Sequence, residues 1–471
     1  MADARPIGAA TAPAVRILGA KLDSIPFSPY HIVLILVLGF VGFVEGYDGA
    51  LSGALLVLAK QPLHLTQTDI KWLVAAPTLF ACLGGFIAAA LSDHFSRKTI
   101  LQIGVVTTTL FTLLIPLVRN AEQLIALRII TGVGLGFAAT APFPIAAELM
   151  PAQHRRTYAA IYEMSLASAF ALLPFVGLLF AHKVNGFRLM ALPGGLALFV
   201  VPAVLHLLLP ESPRWLLRRG RPEAAVGIVN RVIRRCGNRV PPLTVAALGP
   251  DLSASLSRHK LPPFTAMFRR GQLRWTLVGI WSMLCAGTAF HLISVLLPKA
   301  LVDQGAAVTT SFGISSLVFM ATIPGKAFNA YLMEIIGRRW TIAFALAGSL
   351  PGLFLMTLAH RAGPYAPLVM SVGALITGFT VLSSFPAARM YLSEQFPTAL
   401  RGRGHIFGES FGRLFAGVAA PFVMIPHTGS PTIFFGTIVV VVTLGAFTPL
   451  LFGKETIGQI ETVAEEVPAL A

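Results

Sequence analysis

The sequence predicts an all-α membrane protein with twelve transmembrane helices in two pseudo-symmetric six-helix halves. Three observations lead there. Of 471 residues, 55% are hydrophobic and only 12% are charged, about half the charged share of an ordinary soluble chain. Apolar runs of roughly twenty residues, enough to cross ~30 Å of hydrocarbon, recur from end to end. Short charged motifs of the first half return in the second at a nearly constant offset, the mark of an internal repeat.

Six spans read as 31–58, 72–92, 99–118, 123–147, 157–181 and 187–209, and six more as 275–302, 310–333, 340–360, 366–393, 404–426 and 431–452. Each is long enough to cross with some tilt. The chain therefore divides into a first half at 1–209, a linker at 210–274 and a second half at 275–471. The gaps between spans alternate in charge. One side holds Arg97, Lys98, Arg155, Arg156, Arg338, Arg339, Arg401 and Arg403, together with the linker arginines Arg214, Arg218, Arg219, Arg221, Arg231, Arg234 and Arg235. The other side holds Lys60, Lys71, Arg119, Lys183, Lys299 and Arg361, mostly singly. Positive charge marks the cytoplasmic face, so both termini and the linker are expected there. The linker stretch "PEAAVGIVNRVIRR" is amphipathic and reads as a short helix at the membrane surface.

The formal net charge of +16 raises the question of nucleic acid. The basic residues cluster between apolar runs with no aromatic-interleaved face, so they report topology and exclude a nucleic-acid partner. Cys82, Cys236 and Cys285 are too scattered for a disulfide framework or a metal site, and no cofactor is expected. No nucleophile–base set is evident, which argues against an enzyme. The first thirty residues lack the apolar core of a cleavable signal. The absence of N-x-[ST] sequons agrees with a multi-pass protein of a bacterial inner membrane.

The repeat is specific. "ELMPAQHRR" (148–156) and "EQFPTALRG" (394–402) share Glu-x-x-Pro-x-x-x-Arg in register. The same offset carries Glu163 onto Glu409, "DHFSRK" (93–98) parallels "EIIGRR" (334–339), and "PES" (210–212) parallels "KET" (454–456). Asp93, Arg97, Lys98, Glu148 and Arg155, with their counterparts Glu334, Arg338, Arg339, Glu394 and Arg401, read as a cytoplasmic gating set. Asp93 would pair with Arg97 and Lys98, and Glu334 with Arg338 and Arg339, latching the two halves on the inside.

These motifs resemble the major facilitator superfamily over essentially the whole chain. "ALSDHFSRK" is similar to the family's loop 2–3 signature, with Ala89 and Ser96 in place of its glycines. "RIITGVGLG" (128–136) looks like its fourth-helix motif, and "PESPRWLLRRGRPEAA" (210–225) resembles the segment after the sixth helix in sugar porters and organic-ion transporters. "EGYDGALSG" resembles the Asp-Gly-Phe/Tyr-Asp motif of aromatic acid:proton symporters, with Glu45 replacing the first Asp, and the "GYDxxxxSG" run of sugar porters. Both comparisons imply proton coupling at Asp48. "KLDSIPFSPYH" resembles the lead-in of bacterial metabolite:proton symporters and nicotinate transporters, a group that carries a Glu at the position of Glu163. The seventh span, "MLCAGTAFHLISVLLPKAL", lacks the Gln, Asn and Tyr with which sugar porters hold hydroxyls. Each unpaired hydroxyl would cost about 1–3 kcal/mol, which disfavours a hexose.

Ionisable side chains inside a membrane are functional candidates. Glu45 and Asp48 stand three apart in the first span, on adjacent faces of one turn. Arg128 in the fourth span is the natural partner of Asp48. Protonation frees such an Arg and deprotonation restores the pair, so the site can gate reorientation. Asp48, Glu45 and Arg128 are the proton-coupling candidates, with Glu45 tuning the proton site or lining the substrate site. Glu163, His291, Lys326 and Arg389 are the substrate-binding candidates, Lys326 and Arg389 either charging the cavity or snorkelling to a helix end. Arg128, Arg389 and Lys326 give the expected cavity a positive balance. Glu409 and Arg413, four apart, read as a structural pair, and Phe143, Phe290 and Phe385 as packing. The sum is a monomeric proton-coupled symporter moving a small organic acid, aromatic in its nearest family likeness, across the lipid bilayer by alternating access. A sugar or polyol:proton symporter and a non-transporting solute receptor are the alternatives.

Overall fold

A computed structural model describes residues 13–91, 94–151, 154–183, 185–248, 264–396 and 401–455. Every regular element among them is helical. A short helix, α1 (Pro13–Asp23), precedes the first span. The next six helices are α2 (Pro29–Leu58), α3 (Gln67–Leu91), α4 (Arg97–Leu117), α5 (Ala121–Ala146), α6 (Thr157–Phe180) and α7 (Gly186–Leu208). The linker forms α8 (Pro213–Arg218) and α9 (Pro222–Arg235). Then follow α10 (Gly271–Asp303), α11 (Val308–Ile335), α12 (Arg338–Arg361) and α13 (Gly363–Glu394). The eleventh span, α14, runs from Arg401–Leu414 through a π-helical turn at Phe415–Ala419 into Ala420–Met424, and α15 is Pro431–Phe452.

Eleven of the twelve spans are long and apolar enough to cross a membrane by composition alone. The exception, α14, is broken by a π-helical turn and carries Arg401, Arg403, Glu409 and Arg413. Two π-helical turns interrupt the second half, at Leu292–Leu296 within α10 and Phe415–Ala419 within α14. Each lies just ahead of a proline, Pro298 or Pro421, whose missing N–H removes an i→i−4 bond and lets the turn widen.

The halves touch through α2 with α10, α6 with α11 and α3 with α14. Ser316 on α11 donates to the carbonyl of Ala171 on α6 at 3.3 Å, and Trp72 on α3 meets Phe422 edge-on at 5.9 Å. Both contacts lie toward the end away from Arg97, Arg155 and Arg338. Within the first half, α2 seats directly on α6. A Cβ at Gly46 would lie 2.4 Å from the carbonyl oxygen of Leu166, so only glycine permits this approach. That contact brings Glu45 beside Tyr162.

The linker helices pack on α1. Leu18 and Leu22 of α1 meet Leu217 of α8 and Val229 and Val232 of α9 in one buried cluster. Asp23 at the end of α1 pairs with Arg155 at 2.6 Å, fixing this small unit to the start of α6. Cys236 follows α9, buried, with the Ser28 hydroxyl donating to its Sγ at 3.1 Å. Burial pushes its thiol above the ordinary range, and the thiolate is the reactive form. Maleimide labelling of Cys236 at pH 7.5 is therefore expected to run at least about tenfold slower in folded protein than in detergent-denatured protein. Equal rates would show that α1 and α9 do not stay packed.

Candidate functional site

Two charged constellations stand out among the described residues of the interior. The first lies wholly within the first half. Nη1 of Arg128 on α5 sits 2.8 Å from both carboxylate oxygens of Asp48 on α2. Its Nη2 donates to Ser52 Oγ at 2.7 Å and to the Asp48 carbonyl at 3.2 Å. Thr112 on α4 donates to Asp48 Oδ1 at 2.8 Å. Asp48 is 2% exposed and Arg128 0%. A buried pair survives desolvation only when further hydrogen bonds support it; here both Nη groups and both carboxylate oxygens are engaged, and Arg128 Nε is left without a partner among the described residues. The pairing of Asp48 with Arg128 is the one expected from the sequence. Ser52 and Thr112 were missed. Ser52, one turn beyond Asp48, was within reach of a helical-face argument, whereas nothing local marks Thr112.

The second constellation joins the halves. Glu163 on α6 takes Lys326 of α11 on Oε2 at 2.7 Å and Arg389 of α13 on Oε1 at 2.6 Å. Lys326 Nζ also donates to the Glu163 carbonyl at 3.0 Å. Arg389 reaches Glu409 of α14 at 2.9 Å, and Glu409 in turn holds Arg413 at 2.7 Å and His405 at 3.1 Å. Arg413 approaches Glu45 of α2 at 3.9 Å, while the Tyr162 hydroxyl donates to Glu45 at 2.6 Å. The Arg389 guanidinium lies over the rings of Phe143 at 5.7 Å and Phe385 at 4.8 Å. From Phe385 an aromatic run continues through Phe290 and Phe170 to Phe319 at centroid spacings of 5.4, 5.5 and 4.9 Å.

This geometry corrects several expectations. Glu45 and Asp48 serve different constellations, because the 100° step per residue turns them toward different neighbours. The interior is not positively biased: Arg128 is matched by Asp48, and Lys326 and Arg389 by Glu163 and Glu409. Lys326 does not snorkel; it is 3% exposed and held by Glu163. Glu409 and Arg413 are more than a local pair, since Arg389 and Glu45 extend them across the bundle. Phe143 and Phe385 do not merely pack; they flank a cation. His291 turns its Nδ1 to the Gly287 carbonyl at 3.3 Å on its own helix and meets Phe290 edge-on.

At the basic end, the repeat reappears as matched contacts. Arg97 pairs with Glu148, and its counterpart Arg338 pairs with Glu394 at 3.2 Å. Lys98 donates to the His206 carbonyl near the end of α7 at 2.8 Å, and Arg339 to the Gly453 carbonyl that caps α15 at 3.3 Å. Cations at helix C-termini satisfy orphan carbonyls and the negative dipole end. The backbone N–H of Arg338 adds a bond to Glu455 at 2.9 Å, and Ser212 donates to Glu148. The Arg97–Glu148 and Arg338–Glu394 pairs each close within one half and brace it. Arg155 pairs with Asp23 and also donates to the Met150 carbonyl. Glu334 lies in the exposed last turn of α11. Asp93 and the Arg401 side chain fall outside the described residues.

The profile of the Major Facilitator Superfamily matches residues 38–421. The chain belongs to this superfamily. It is thus a multi-pass membrane transporter of small molecules, with the superfamily's two six-helix halves, and not an enzyme. The niacin transporter NiaP of Acinetobacter baylyi is 25% identical over 446 residues, covering 94% of this chain and 98% of its own. The gallate transporter of Pseudomonas putida is 25% identical, covering 84% of this chain and 87% of its own. Among solved structures, the xylose transporter XylE of E. coli in a partially occluded inward-open conformation aligns with a TM-score of 0.72 at 20% identity, covering 92% of this chain and 99% of its own. That likeness speaks to the fold alone. In this superfamily member the substrate has to be argued from the interior charges.

Proposed function

We propose that this transporter is a proton-coupled symporter for a small aromatic organic acid. The observation that carries the reading is the cradle between the halves. Lys326 and Arg389 place two cations on the second half, and Phe143 and Phe385 stack on Arg389. A carboxylate finds charge-assisted donors there, and an attached ring finds aromatic faces. Asp48, buried against Arg128, carries the transported proton, and alternating access comes from rocking of residues 1–209 against 275–471 about the linker. Both termini and the linker face the cytoplasm of a bacterial inner membrane, and the transporter works as a monomer in the lipid bilayer.

The test uses proteoliposomes with a pH-sensitive dye inside and an inward proton gradient. Nicotinate, gallate, benzoate and xylose are added in turn. Uptake and lumenal acidification with one of the acids, well above protein-free vesicles, is the expected result. Acidification by xylose alone would transfer the chain to the sugar:proton symporters. Saturable binding with no movement of any solute would make it a receptor.

A further inference from the structure

The structure contains its own substitute for an anionic substrate. We infer that the Glu163 carboxylate occupies the cationic cradle in the empty transporter, and that a proton on Glu163 vacates the cradle for a substrate carboxylate. This rests on the organic-acid reading and adds a second protonation site, distinct from Asp48.

Three observations support it. The first is placement. Asp48 and Arg128 both belong to the first half, so rocking of one half on the other leaves their pair whole. Glu163 is different: one oxygen takes Lys326 and the other takes Arg389, both from the second half. Its charge ties the halves together directly.

The second is charge balance. The groups that face Glu163 are Tyr158 and Tyr162 on its own helix, Lys326 on α11, Arg389 on α13 and Glu409 on α14; Glu409 is in turn held by His405 and Arg413, and Arg413 has Glu45 of α2 and His291 of α10 beside it. Histidines aside, three carboxylates (Glu45, Glu163, Glu409) face three cations (Lys326, Arg389, Arg413). A balanced layer has no call for an added anion in a low-dielectric interior. One proton from solvent on Glu163 leaves a single uncompensated positive charge, matched by one monocarboxylate.

The third is donor capacity. Lys326 has three N–H donors and spends two on Glu163. Nε of Arg389 is buried with no hydrogen-bond partner among the described residues. Once Glu163 is neutral, Lys326 and Arg389 together present converging donors in the fork geometry a carboxylate requires. Protonating Glu45 or Glu409 does not open this cradle. Arg413, the cation that approaches Glu45, already places Nε and Nη2 on Glu409, and Glu409 takes Nη2 of Arg389 while Nη1 serves Glu163.

Binding of nicotinate, gallate and benzoate to detergent-purified protein between pH 5 and 8 tests this, with proton uptake read from calorimetry in buffers of different ionisation enthalpy. Wild type is expected to bind one of these acids with the uptake of one proton, and to lose affinity about tenfold per pH unit above the titration of Glu163. Glu163→Gln is expected to lose that proton and to bind nearly independently of pH. Asp48→Asn is expected to keep binding-linked proton uptake. A wild-type slope retained in Glu163→Gln, or acid binding to wild type without proton uptake, would overturn the inference while leaving the organic-acid reading intact. The wild-type measurement stands even where Glu163→Gln fails to fold. No binding of any of the three acids by any variant would sink the organic-acid reading, and this inference with it.

Discussion

Asp48→Asn is expected to remove one proton from each transport cycle. The amide keeps the shape of the carboxylate and one acceptor for Arg128 or Thr112, but it no longer titrates. Each coupled proton moving down a one-unit pH gradient contributes about 1.4 kcal/mol, or tenfold accumulation of substrate. Simultaneous dye and radiolabel fluxes of nicotinate, corrected for protein-free vesicles, give protons moved per substrate. If Glu163 carries a second proton, the ratio drops from two to one in Asp48→Asn and to zero in Asp48→Asn/Glu163→Gln. If Asp48 acts alone, the drop is from one to zero. An unchanged ratio in Asp48→Asn would reduce the Asp48–Arg128 pair to a fixed strut. The substitution also leaves Arg128 buried without its counter-charge, a loss of about 3–5 kcal/mol. Lower thermal stability should accompany the loss of coupling, and the flux ratio is the readout that separates the two.

Gly136→Leu is expected to destroy the fold of the first half. On α5, Arg128, Gly132 and Gly136 are spaced four apart and share a face. A Cβ at Gly136 would stand 2.1 Å from the Ala81 carbonyl oxygen and 2.6 Å from the Gly85 nitrogen, and one at Gly132 would stand 2.6 Å from the Pro77 carbonyl oxygen. These neighbours are backbone of α3, so no rotamer change relieves the clash. On its other side α5 is held by α4, where a Cβ at Gly104 would meet the Ala138 nitrogen at 2.4 Å. Having nowhere to move, α5 would carry Arg128 away from Asp48. Overpacking of this kind costs about 3 kcal/mol or more. The expected result is loss of the monodisperse species on fluorescence-detected size exclusion. Gly436→Leu on α15, where an added Cβ meets nothing within 4 Å, should behave as wild type. Equal behaviour of the two variants would contradict the close α3–α5 packing.

Much of this protein is legible without its structure. Span positions follow from hydropathy because an apolar helix satisfies its backbone bonds internally and can therefore cross a bilayer. The repeat predicted matched halves, and Arg97–Glu148 and Arg338–Glu394 are its physical outcome. The Asp48–Arg128 pair was also predictable, since a buried Arg128 needs a counter-charge and Asp48 lies in a span of the same half.

The sequence by itself thus determined the membrane class, the two-half architecture and which ionisable residues lie inside. Which charges meet across the two halves was decided by the tertiary structure alone. Lys326 and Arg389 lie 163 and 226 positions from Glu163, and nothing local selects them over other bases. Glu45 and Asp48 differ by three residues, yet helix rotation turns one to the interface between the halves and the other into the first half. The sequence reveals that a charge must be compensated. The rotation of each helix about its axis, set by backbone contacts such as Gly46 on Leu166, chooses the partner.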